Sequence, residues 1–177
     1  VTSVTGFTIP KNDARKYSRY DLGIALGAST YNGSAENSDA PSITYTPLGN
    51  TLSTADRTIS VTISDGNGVH WFGSLMPRIY FKKGSGGSYS STIGVLSSGD
   101  AKSGTWTFTI TNSSMGGVAN GDQIYYYVIA QDVSTTSSIA SNPSGVSATD
   151  VNTITTHPGS PNSYIIASPS NPEINLK

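Results

Sequence analysis

The sequence predicts an all-β fold: an antiparallel β-sandwich of about seven strands, with an extra strand segment at its N-terminus. Three observations carry this prediction. The stretch Gly121 to Asp132, GDQIYYYVIAQD, has the composition and length of a central strand, with three consecutive tyrosines. Two shorter runs, RTISVTISDGNGV from Arg57 and SGTWTFTIT from Ser103, alternate apolar and polar residues with period two. No window carries the 3.6-residue apolar stripe of an amphipathic helix.

Taken in chain order, Val1 to Ile9 alternate like a strand and stop at Pro10. A small basic cluster follows (Lys11, Arg15, Lys16 and Arg19), then the apolar run LGIALGA from Leu22 and a polar linker over 32–40. Ile43 and Tyr45 open the first strand of the sandwich proper. Ile59, Val61 and Ile63 face one way while Thr58, Ser60 and Thr62 face the other, as in a half-buried strand. Pro77 starts PRIYFKK without the loss of a ladder bond, and Ile79 and Phe81 point inward. Tyr89 to Leu96 is a weaker strand, placed at an edge. Trp106, Phe108 and Ile110 alternate with threonines. In the long strand Ile124, Tyr126, Val128 and Ala130 form the inward face, and Tyr125, Tyr127 and Ile129 the outer one. Ser163 to Ala167 closes the set. The breaks between strands carry Gly49-Asn50, Asn67-Gly68, Gly84 to Gly87, Gly116-Gly117 and Asn120-Gly121, all turn formers. The expected organisation is an N-terminal extension over 1–40, the sandwich over 41–167, and a tail over 168–177 interrupted by Pro169 and Pro172.

A chain of 177 residues suffices for one domain of about 100–150 residues plus flanking segments. Charged residues make up 12 % and the net charge is −1, about half the usual charged share. Such a surface has no basic footprint for nucleic acid or for an anionic membrane. There is no cysteine, which excludes a disulfide framework and thiolate chemistry. No apolar run approaches the ~20 residues of a membrane-spanning helix, so membrane insertion is not expected. Solubility rests on Ser, Thr, Asn and Gly, a composition suited to an extracellular bacterial β-protein. The first residue is Val and no signal-peptide layout follows, so a processed secreted chain, or an excised piece of a larger one, is expected.

The series ITYTPLGNTL, RTISVTISDGNGV, PRIYFKK, SGTWTFTI, GDQIYYYVIAQD and NSYII resembles bacterial immunoglobulin-like or fibronectin-III-like modules of secreted and cell-surface proteins. The resemblance spans residues 41–166 and implies a seven-stranded immunoglobulin-like sandwich acting as spacer, adhesive unit or accessory module. It implies no catalytic residue.

An immunoglobulin order brings the ends of the second and sixth strands to one pole, with Asp65 and Asn67 beside Asp132. Two carboxylates and an amide oxygen suit a hard cation such as Ca²⁺, which takes six to eight oxygens. The competing reading, which the sequence favours, is that each Asp caps its own turn. The same loop carries His70, Trp71 and Phe72. As an exposed pair, Trp71 and Phe72 would stack on a sugar or anchor a protein. The favoured alternative is that one of them plugs the end of the core while His70 faces solvent. Tyr125 and Tyr127, on the outer face, are candidates for carbohydrate binding, although cross-strand packing explains the same residues and is the favoured reading. Tyr126 is the inward tyrosine, bonded to backbone.

Catalytic groups are sparse. His70 and His157 are the only histidines, G-x-S-x-G is absent, and the two glutamates, Glu36 and Glu173, lie in the linker and tail. GSGGS after Lys83 lacks the lysine of a phosphate loop. The expectation is therefore a non-enzyme without an obligatory cofactor: a structural or adhesive module, associating with neighbouring domains or with copies of itself through Val1 to Ile9. The alternative is a glycan-binding accessory domain of a secreted hydrolase.

Overall fold

The computed structural model describes residues 39–134 and 137–169. The expected strand Val1 to Ile9, the basic cluster, the run from Leu22, most of the linker, and the end of the tail lie outside the described residues. The rest is an all-β sandwich. Its first sheet has the order β1 (Ser42–Thr44), β2 (Arg57–Ser64), β6 (Ser103–Ile110) and β5 (Val95–Gly99). The second has the order β11 (Asn162–Ile165), β7 (Gln123–Gln131), β3 (Arg78–Lys83) and β4 (Ser90–Ile93), with β8 (Ile139–Asn142) also on β7. All of these strand pairs are antiparallel.

Alternation in the sequence becomes the core directly. In β2 the buried set is Ile59, Val61 and Ile63, and β6 sets Phe108 opposite Ile59 and Trp106 opposite Val61. From the second sheet Ile79, Phe81, Ile124, Tyr126, Val128 and Tyr164 close on the same cluster. Trp106 and Phe108 are fully buried, and loss of either side chain to Ala would cost about 3–5 kcal/mol. Tyr126 points inward as expected, and its hydroxyl accepts the Leu48 backbone N–H at 2.6 Å.

Two features differ from the sequence expectation. The single strand expected over Tyr89 to Leu96 is two strands that belong to different sheets, divided at Gly94. The Gly94 N–H donates to Pro77 O at 2.9 Å, and a Cβ on Gly94 would lie 2.5 Å from Cε1 of Phe108. The chain thus crosses from sheet to sheet where only glycine fits against a buried ring.

The second difference is larger. The segment between Asp132 and Asn162, to which the sequence reading assigns no strand, carries three. β8 lies along the C-terminal half of β7, from Val128↔Asn142 to Gln131↔Ile139, and β11 takes the N-terminal half. Between them, β9 (Ser147–Asp150) and β10 (Thr153–Thr156) form a hairpin closed by Asp150, whose Oδ1 accepts the N–H groups of Asn152 and Thr153. The hairpin packs Val151, Ala148 and Ile154 onto Tyr80, Tyr127 and Ile129, forming a second apolar cluster on the outer face of the sheet. β7 is therefore buried on both faces, which is why it reads as an almost unbroken apolar run.

Candidate functional site

The ends of β2 and β7 do meet at one pole. Val69 bridges Asp132, and the Val133 N–H donates to Gly68 O at 3.0 Å. Asp65 Oδ1 accepts the N–H groups of Asn67 and Gly68 at 2.8 and 2.9 Å. Gly68 has φ +96° and sits against Ala101, a place a side chain would strain. Asp132 is fully buried; its Oδ1 accepts the Ser138 N–H at 2.7 Å and its Oδ2 the Ser134 hydroxyl at 2.6 Å. Asn67 Nδ2 donates to the same Ser134 oxygen at 2.6 Å. The three residues nominated for Ca²⁺ are thus brought together, and both carboxylates are engaged in holding turns, as short Asx side chains commonly are. Asp65 Oδ2 is buried without a hydrogen-bond partner. Among the described residues, no three His, Cys, Asp or Glu side chains gather into a metal-binding group.

Trp71 and Phe72 overturn the expected plug. Trp71 is 57 % exposed and Phe72 68 % exposed, and their rings meet edge to face at 5.2 Å. The end of the core is filled instead by Val69, fully buried and pinned by its N–H to Ala101 O at 2.9 Å. With that position taken, the chain turns outward and the two aromatics have no interior to enter. His70 is half-buried. Trp71 also walls a shallow depression of ≈ 340 Å³ with Leu96, Asp100 and Ala101.

The two outer tyrosines part company. Tyr127, expected on an open face, is fully buried under the β9–β10 hairpin. It stacks on Tyr80 at 5.3 Å and 7°, and its hydroxyl lies 2.7 Å from His157 Nδ1. Burial pushes the Tyr127 hydroxyl well above its usual range. It is a core residue and cannot reach a ligand. Tyr125 stays half-buried and lines a groove of ≈ 320 Å³ with Lys82, Tyr89, His157, Pro158 and Pro161. His157 stacks on Tyr89 at 4.0 Å, and Lys82 Nζ sits 4.8 Å from the Tyr89 ring centre. Burial, reinforced by the nearby Lys82 charge, lowers the His157 pKa below its ordinary value.

Lys82, Tyr89 and His157 were not singled out as site residues from the sequence. Lys82 and Tyr89 face each other across the turn from β3 to β4, but His157 is distant in the chain and reaches them only because the segment after β10 folds back onto the sheet. The one sequence signal is the pair Pro158 and Pro161 directly after His157, which holds that segment off a ladder.

Compared with known proteins, the chain matches no family model and finds no match among curated proteins. Among the described residues no helix is long and apolar enough to cross a membrane.

Proposed function

We propose that this chain is a non-catalytic adhesive module of an extracellular bacterial protein, and that it docks a partner through Trp71 and Phe72. The observation that carries the reading is the exposed aromatic pair itself. Two adjacent large aromatics turned out of a braced pole leave more apolar surface in water than folding requires, and aromatic side chains dominate the energy of protein contacts. The bonds that hold Asp65, Gly68, Val69 and Asp132 fix the base from which the pair projects, which lowers the ordering cost of binding. A Ser- and Thr-rich surface of almost no net charge fits the extracellular setting, and the strand pattern resembles immunoglobulin-like modules. In adhesion and pull-down assays against the surface proteins of its own source, Trp71→Ala with Phe72→Ala should abolish capture at unchanged melting temperature. Capture undiminished in that double variant would reject the reading. A finer version, strand exchange between copies through Val1 to Ile9, is tested by deleting residues 1–10. An unchanged mass in light scattering would reject it.

The groove beside Tyr125 favours a second reading, a carbohydrate-binding accessory domain. Aromatic and proline rings around a small hollow offer the apolar faces on which sugar rings stack. Titration with soluble polysaccharides tests it: binding that Tyr125→Leu removes would support it, and no binding by the wild type would reject it.

A further inference from the structure

We propose that the groove formed by Lys82, Tyr89, Tyr125 and His157 is a site for an acidic sugar ring, a hexuronate unit of a polysaccharide. The inference rests on the second reading above and adds the chemistry of the ligand. Size bounds the occupant first: ≈ 320 Å³ lies at the lower limit of ligand pockets, about 300–1,000 Å³, room for little more than one ring.

Charge then selects the kind of ring. Among the described residues Lys82 is the only ionic one lining the groove, and no carboxylate of theirs lines it. Its ammonium donates to Ser85 O at 2.7 Å, which leaves two of its three donors for a ligand. Lys82 makes no ion pair with any described residue; the lysine–aspartate pair on this strand belongs to Lys83 and Asp122. An ammonium beside aromatic rings, with no counter-charge among the described residues of the hollow, is complementary to an anion.

The histidine contributes a directed donor. Tyr127 is buried, its hydroxyl proton needs an acceptor, and its partner is His157 Nδ1 at 2.7 Å. A neutral imidazole that accepts at Nδ1 carries its proton on Nε2. That N–H makes no bond within the described protein and is free for a sugar hydroxyl. The Tyr125 hydroxyl donates to Gln123 Oε1 at 2.9 Å and keeps lone pairs for a sugar O–H. The groove thus offers one cation, one neutral donor, a hydroxyl acceptor and ring faces, the complements of a uronate's carboxylate, hydroxyls and ring.

The test titrates the full chain with a galacturonate trimer and with the same trimer as its methyl ester, which removes the charge and keeps the ring. The acid should bind about tenfold more tightly than the ester at low salt, the worth of a charge-assisted hydrogen bond. Lys82→Met, which keeps the aliphatic stem, should bring the acid down to the ester's affinity. Tyr125→Phe, which keeps the ring face and loses the hydroxyl acceptor, should weaken both slightly and Tyr125→Leu weaken both several-fold, with melting temperatures confirming that the variants fold. Trp71→Ala should change nothing. Equal binding of acid and ester by the wild type would overturn the uronate inference and leave the carbohydrate reading standing. Binding of neither trimer would overturn the uronate inference, and if the wild type bound no soluble polysaccharide either, the carbohydrate reading would fall with it. Loss of binding in Trp71→Ala would move the site to the pole and overturn the assignment to this groove.

Discussion

Gln131 and Val151 are joined across the outer face of the second sheet: the side-chain Oε1 of Gln131 accepts the Val151 backbone N–H at 2.8 Å, and both residues are buried. The Val151 carbonyl is satisfied from the other side by the Tyr80 hydroxyl, also at 2.8 Å. The tip of the β9–β10 hairpin therefore meets its backbone requirements through two side chains of the sheet it covers. Removing either partner strands a buried peptide group.

Gln131→Ala should lower stability by about 2–3 kcal/mol, combining an orphaned buried N–H with a small void. Denaturant melts give the loss, and amide exchange at Val151 should accelerate. Unchanged exchange at that amide would mean the tether is not what holds the hairpin down.

His157 should make the fold sensitive to mild acid. Burial, then Lys82, holds its pKa below the ordinary 6.5, so the unfolded chain takes up the proton first as pH falls. Its contribution to stability is complete above pH 6.5 and is lost as pH falls from there through the folded value. Thermal melts between about pH 7 and pH 5 should show a declining midpoint, and His157→Gln should flatten that slope. An equal slope in the variant would assign the acid response to other groups.

Gly94→Ala tests the crossing between sheets. The added methyl would stand 2.5 Å from a fully buried phenyl ring, so the ring or the backbone must shift. The expected cost is about 1–3 kcal/mol, read from denaturant midpoints. A neutral outcome would show that β4 and β5 can move apart without penalty.

Asp132 separates turn support from cation binding. Its carboxylate accepts from Ser134 and Ser138, and removing such buried, charge-assisted bonds in Asp132→Ala should cost about 2–3 kcal/mol. If its role is confined to those bonds, chelator and added Ca²⁺ leave the wild-type melting temperature unchanged. A melting temperature that rises with Ca²⁺ and falls with chelator would instead establish a cation at Asp65, Asn67 and Asp132.

The sequence by itself determined the strands whose alternation is regular. β2, β3, β6, β7 and β11 fall where Ile59 to Ile63, Ile79 to Phe81, Trp106 to Ile110, Ile124 to Ala130 and the SYII run placed them, because period-two patterning is a local property of the chain. It also assigned the two faces of β7 correctly, Tyr126 inward and Tyr127 outward. What it could not assign was whether the outward face meets water. That depends on the hairpin around Val151, whose short strands carry little apolar signal and are held by Gln131 and Tyr80 rather than by their own pattern. The same limit applied at the pole, where the seat expected for Trp71 or Phe72 went to Val69 because a backbone bond to Ala101 pins it there. Burial of one residue is decided by which distant residues cover it in the folded chain, so the tertiary structure alone turned Tyr127 into core, exposed Trp71, and brought His157 to Lys82, Tyr89 and Tyr125 in one groove.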